Sequence, residues 1–208
     1  MEDSAPGITQ TSADQSHEVA RIAAFSDGVF AIAITLLTLQ LDLPKGESLA
    51  QALSGLQPSF VAFVISFLVI GTYWVAHHRL FAVVRRYDGR LIWLNMATLF
   101  FIVLLPFTTS VISDYGSTRL GVIVYVASLA GAGLATTALA AYALVGHRLC
   151  DPALSAVTIG YYVWRGAVPA LYFAASLALL PLGPAVVEYS WLGIPLVTSW
   201  LQRRFRGA

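Results

Sequence analysis

The chain predicts an all-α membrane protein with six transmembrane helices per subunit and little soluble mass. Of its 208 residues, 58% are hydrophobic and only 11% charged, against about 25% charged in a soluble domain. Mean hydropathy is +0.75. The apolar residues also run in blocks long enough to span a bilayer, because about 20 helical residues at 1.5 Å rise cover the roughly 30 Å hydrocarbon core.

The elements follow in order. Residues Met1–Glu18 are polar and acidic, without the basic start and apolar run of a cleavable signal. Residues 1–20 therefore read as a disordered cytoplasmic tail. Spans are predicted at Ile22–Leu41, Pro58–Ala82, Leu91–Ile112, Leu120–Val145, Val157–Leu180 and Ala185–Gln202, giving a transmembrane domain over 21–202. Ser48–Leu56 is too short to span and reads as an interfacial turn or short helix. Pro106 and Pro169 fall inside spans, where kinks are expected. Residues 203–208 form a basic cytoplasmic tail.

Charge sets the orientation. Arg79, Arg85, Arg86, Arg90, Arg148, Arg203, Arg204 and Arg206 fall on the amino-terminal side, and little beyond Lys45 and Arg119 on the other, beside Asp42, Glu47, Asp114 and Glu188. The positive-inside rule then places both termini in the cytoplasm, in agreement with an even span count. A formal charge of +1 argues against nucleic acid as a partner. The single cysteine, Cys150, reads as a small buried hydrophobe. No internal repeat is visible.

The first span, RIAAFSDGVFAIAITLLTLQL, carries Arg21, Ser26 and Asp27 at its start. An acid in a membrane helix is costly and needs a partner or a use. With Ile32 at zero on a helical wheel, Thr35, Leu36 and Leu39 fall within about 60°. Arg21, Phe25 and Gly28 extend that stripe, while Asp27 lies roughly 140° away. An aliphatic stripe with one hydroxyl suits lipid or helix packing. Copies facing one another would instead make a hydrophobic throat able to gate by dewetting. Periodicity leaves both readings open, and it favours packing.

Other polar residues share the Asp27 level. The second span ends Tyr73-Trp74-Val75-Ala76-His77-His78-Arg79. Trp74 and His77 share a face, and the histidine end of this span reads as hydrogen-bonding to Ser26 or Asp27. Asn95, in the third span, reads as an interhelical hydrogen-bond donor. His77-His78 invites a metal-enzyme reading, but a third ligand could come only from Asp88 or Asp27; no metal or other cofactor is expected. Arg165 follows Tyr161, Tyr162 and Trp164 and reads as snorkelling to headgroups.

These strings resemble a known family. Arg21-x-x-x-Phe25-Ser26-Asp27 followed by Gly-Val-Phe-Ala-Ile-Ala-Ile-Thr-Leu-Leu is similar to the signature of prokaryotic transmembrane-protein-175 potassium channels. So are Tyr73-Trp74-x-x-His77-His78-Arg79-Leu80-Phe81 and Asp88-x-Arg90-x-x-Trp93-x-Asn95. The resemblance covers the first half of the chain; later spans match mainly in hydropathy.

The resemblance implies a non-canonical potassium channel: six-helix subunits, no re-entrant filter, a homotetramer in a prokaryotic plasma membrane, and first helices lining the pore. It places Ile32 at a hydrophobic constriction, Thr35 at a hydroxyl layer contributing to potassium preference, and Leu36 and Leu39 along the lining. Family members carry either leucine or isoleucine at the constriction. Arg21, Phe25, Ser26 and Asp27 would form a hydrogen-bonded network, with Trp74, His77 and Asn95 as further members. The expected activity is potassium and monovalent-cation permeation through the lipid bilayer, without enzymatic chemistry. The alternative is a proton channel or carrier relaying through Asp27 and His77.

Overall fold

A computed structural model describes residues 12–42, 46 and 48–206. Residues 1–11, 43–45, 47, 207 and 208, Lys45 and Glu47 among them, lie outside the described residues. Five helices in it are long and apolar enough to cross a membrane: Asp14–Gln40, Gln57–Val83, Gly89–Tyr115, Arg119–His147 and Ala156–Leu182, counting short 3-10 ends. The chain is a multi-pass membrane protein.

Helix α1 (Ser12–Leu36) begins well before Arg21. The expected irregular tail is therefore helical from Ser12. Val19 is buried, and Glu18 accepts from Arg21 one turn on, which gives this polar stretch packing and an ion pair to hold it. After α1 a 3-10 turn, Leu37–Gln40, tightens the end. The short α2 (Leu49–Gly55) is started by a capping box between Ser48 and Gln51.

The next helices are α3 (Gln57–Val83), α4 (Gly89–Tyr115), α5 (Arg119–Leu144) and α6 (Ala156–Ser176). Three have side-chain caps: Asp88 for α4, Thr118 for α5 and Ser155 for α6. Helices α4 and α6 run on through Pro106 and Pro169.

The sixth expected span, Ala185–Gln202, requires correction. It is broken into α7 (Pro184–Ser190), a 3-10 turn at Trp191–Gly193, and α8 (Ile194–Arg206). Gly193 and Pro195 supply the break: one residue packs no side chain and the other cannot donate to the preceding turn. Helix α8 also runs through Arg206, so the expected boundary at residue 202 falls inside it.

Helix α5 is the centre of the subunit. Half of its apolar window is buried, against 22% for α1, α3 and α6. It packs closely on α6, where a Cβ on Gly133 would meet the Ala170 Cβ at 2.6 Å and one on Gly166 would meet the Thr137 hydroxyl at 2.7 Å. Small residues let the backbones approach, and in lipid that packing drives helix association in place of a hydrophobic effect. Buried hydroxyls add cross-links: Tyr73 donates to the Leu129 carbonyl at 2.9 Å, and Ser66 is hydrogen-bonded to Thr109, whose own proton goes to the Leu105 carbonyl, and to Tyr125.

One end gathers the arginines. Val84 and Cys150 bridge the α3–α4 and α5–α6 connections, and the Arg85 and Arg86 amides donate to the Leu149 carbonyl. The Tyr87 amide donates to Gln15, tying the start of α1 to the same end.

Candidate functional site

Helix α1 buries one face and leaves the other open. Val19, Ser26, Phe30, Ala33 and Leu37 are buried at helical spacing against α3, α4 and their neighbours. On the opposite side Ile32 is 61% exposed, Leu36 38% and Leu39 76%, with Thr35 exposed between them. The 3-10 geometry after Leu36 has three residues per turn, so Leu36 and Leu39 stay on one line. The Thr35 hydroxyl donates to the Ile32 carbonyl at 2.8 Å, so on this exposed side chain the oxygen remains only as an acceptor.

A buried polar chain fixes the rotation of α1. Ser26 Oγ donates to the Ile22 carbonyl at 2.9 Å. Its single proton is thereby used, so Asn95 Nδ2 must be the donor in the 2.9 Å bond to Ser26. Asn95 Oδ1 then accepts from His77 Nε2 at 2.7 Å. The chain is satisfied by a neutral ring protonated on Nε2. His77 Nδ1 is left with no partner among the described residues. Phe81 stacks on the ring at 4.5 Å and Phe30 tilts against it at 5.4 Å. Three helices are thus locked by a relay from which solvent is excluded.

Asp27 stands apart from that relay. Its Oδ1 accepts from Trp74 Nε1 at 2.8 Å on a more exposed side of the α1–α3 contact. Arg21 and Phe25 join neither group within the subunit. Arg21 pairs with Glu18 at 2.7 Å on the exposed surface, and Phe25 lies on the open stripe. The seven expected network residues therefore divide into a buried relay (Ser26, Asn95, His77), an outer pair (Asp27, Trp74) and two outward side chains (Arg21, Phe25). Among the described residues neither of the last two makes a hydrogen bond or ion pair to another helix.

His77 and His78 diverge, the first into the core and the second to the surface. No cluster of three His, Cys, Asp or Glu side chains able to hold a metal occurs among the described residues. The metal-enzyme reading thus lacks its ligand set there.

Asp88, which the sequence offered only as a possible third metal ligand and as part of a family-like string, has a structural role. It caps α4 through the Leu91 amide at 2.8 Å and accepts from the Tyr142 hydroxyl at 2.6 Å, joining α4 to α5. Burial raises its carboxyl, but the Tyr142 hydroxyl, the backbone amides and the nearby Arg90 outweigh that and hold it below its usual range. An aspartate just before an apolar run was the available signal.

Comparison with known proteins agrees with this architecture. Residues 21–106 match the family model described as endosomal/lysosomal potassium channel TMEM175. The chain is 46% identical over 102 residues to a protein of Streptomyces collinus named a potassium channel, covering 48% of this chain and 50% of that one. It is 28% identical over 205 residues to the rat endosomal/lysosomal proton channel TMEM175, covering 90% of this chain and 40% of that one. The chain thus spans about half the length of the bacterial relative, and these relatives are named as channels, not enzymes. A crystal structure titled a lysosomal potassium-selective channel TMEM175 homolog, from Chamaesiphon minutus, superposes with a TM-score of 0.76 at 26% identity, over 91% of this chain and 98% of the other. Sequence over residues 21–106 and fold over nearly the whole chain point the same way: this chain is similar to TMEM175-like channels.

Proposed function

We propose that this chain forms a potassium-permeable cation channel in which the open face of α1 lines the ion path. The observation that carries the reading is the unbroken exposed stripe of Ile32, Thr35, Leu36 and Leu39, held at a fixed azimuth by the buried relay behind it. Four subunits around an axis through α1 would bring four such stripes together. Helices α7 and α8 together provide the sixth crossing, so that both termini and the arginine-rich end face the cytoplasm of a prokaryotic cell. Arg21 and Phe25, turned away from their own subunit, then face a neighbour.

Ile32 forms the gate. A hydrated cation cannot cross a narrow apolar ring without losing water that the ring does not replace. Splaying the helices wets the throat. The Thr35 oxygens, whose protons are engaged by their own backbone, then offer acceptors that favour potassium. Asp42, exposed beyond the far end of α1, concentrates cations at the mouth.

A proton path is the second reading. It is favoured by the unpartnered His77 Nδ1 beside the Ser26–Asn95 relay, and the rat relative is named a proton channel. Purified protein in liposomes with opposed potassium and pH gradients separates the two. A reversal potential tracking potassium over sodium and caesium supports the first reading. One tracking the pH gradient supports the second and overturns the first.

A further inference from the structure

Arg165 is the one arginine well inside a span that the ion path does not use. It lies nine residues into α6, about 13–14 Å along the helix axis. The span from Ala156 to Leu182 has 27 residues, so it overshoots the roughly 30 Å hydrocarbon core by about 5 Å at each end. The Arg165 backbone therefore sits about 8 Å deep on the arginine-rich side. Helical side chains lean toward the helix N-terminus. The guanidinium does so, donating to the Tyr161 hydroxyl one turn nearer the surface at 3.1 Å. This brings the charge close to the headgroup boundary.

That contact uses one of five N–H donors. Among the described residues no carboxylate comes within 4.0 Å of Arg165. The side chain borders a groove of about 510 Å³ between α3, α6 and α8, within the range of about 300–1,000 Å³ found for ligand sites. Tyr161 beside the charge and Thr72 across the groove on α3 give it polar edges, while Phe67 and Leu68 continue it as an exposed apolar wall. A cation beside a hydroxyl at headgroup depth, opening onto an apolar trough, is complementary to a phosphodiester carrying acyl chains. A carboxylate from a second copy fits less well. Asp27, the acid carried within the α1 span, already accepts from Trp74 through Oδ1 at 2.8 Å, and an acid nearer the surface would have to leave water to enter the groove.

We infer that this groove holds an anionic phospholipid of the leaflet at the arginine-rich end, its phosphate on Arg165 and its chains along Phe67 and Leu68. The site requires only membrane embedding, so it stands or falls apart from the ion path. The test is native mass spectrometry of the purified full chain in mild detergent, offered phosphatidylglycerol and phosphatidylcholine with the same acyl chains. Wild type should retain phosphatidylglycerol at least fivefold over phosphatidylcholine. Arg165→Gln should cut that ratio at least threefold and Arg165→Lys should restore part of it, while Arg203→Gln on the exposed α8 end leaves it unchanged. Thr72→Glu keeps Arg165 but puts a competing carboxylate in the groove, and should also cut the ratio; it decides alone if Arg165→Gln fails to fold. The proposal is overturned by no preference in wild type, by a ratio indifferent to Arg165→Gln or Thr72→Glu, or by an equal loss in Arg203→Gln, which would mean diffuse charge binding. It is also overturned if Asp27→Asn and Arg165→Gln disrupt subunit assembly alike, since the partner would then be a second copy.

Discussion

The two sides of α1 differ in exposure and in where their polar groups lie: the buried side packs apolar residues around a polar relay, and the exposed side is mostly aliphatic. The inward side carries the hydroxyl of Ser26 and meets Asn95 and His77, all buried. The outward side carries Ile32, Leu36 and Leu39, all exposed. In lipid, apolar residues gain little by turning inward, whereas polar groups must find partners there. The inward face is therefore committed to holding the helix. The outward face is free for another task, and its small polar content, a single threonine layer among aliphatics, suits a dewetted throat.

Breaking the inward face should have the largest effect on the fold. Asn95→Leu removes the acceptor of His77 Nε2 and the donor to Ser26 at once. Ser26 keeps its bond to the Ile22 carbonyl, so the cost is that of the unsatisfied His77 Nε2–H, about 1–3 kcal/mol. It should appear as a clear fall in the thermal unfolding temperature in detergent. An unfolding temperature like that of wild type would mean the relay does not fix α1.

Breaking the outward face should spare the fold and change transport. Ile32→Asn should raise potassium leak in planar bilayers about tenfold or more, equivalent to removing about 1.4 kcal/mol from the barrier. Stability should change by no more than an exposed substitution costs, about ±0.5 kcal/mol. Unchanged leak would count against Ile32 as the gate.

The smallest effect sharpens the comparison by lying on neither face. Asp88 has a depressed carboxyl pKa in the folded state. Its contribution to stability is thus present above the unfolded value of about 3.9 and lost as pH falls through the lower folded value. Wild type should lose slightly more stability than Asp88→Asn when pH is lowered through that window, with no difference between them in the slope near neutrality. A difference confined to pH 6–8 would contradict the assignment.

Five of the long helices and the two-sided character of α1 were legible from hydropathy and the 3.6-residue period. The division of the signature residues was not. Ser26 and Asp27 are adjacent in sequence, and only the crossing of α1 with α3 and α4 decides that Ser26 meets Asn95 while Asp27 meets Trp74. The outward placement of Arg21 was partly readable, since Glu18 lies three residues before it. The broken last segment was concealed by averaging: hydropathy runs across Gly193 and Pro195, although those two residues are the usual marks of a break. The relay's rotamers and the Arg165 groove depend on how α3, α6 and α8 meet, which no local pattern encodes.

The central claim is that the open face of α1 meets the ion. Single cysteines at Ile32, Thr35 and Leu39, with Leu68 and Phe100 as exposed apolar controls on α3 and α4, can be treated with a charged thiol reagent during liposome potassium flux; the native Cys150 is buried. The account predicts that modification at the three α1 positions changes flux at least severalfold and that modification at Leu68 and Phe100 does not. Labelled α1 cysteines with unaltered flux, or equal effects at the controls, would contradict it.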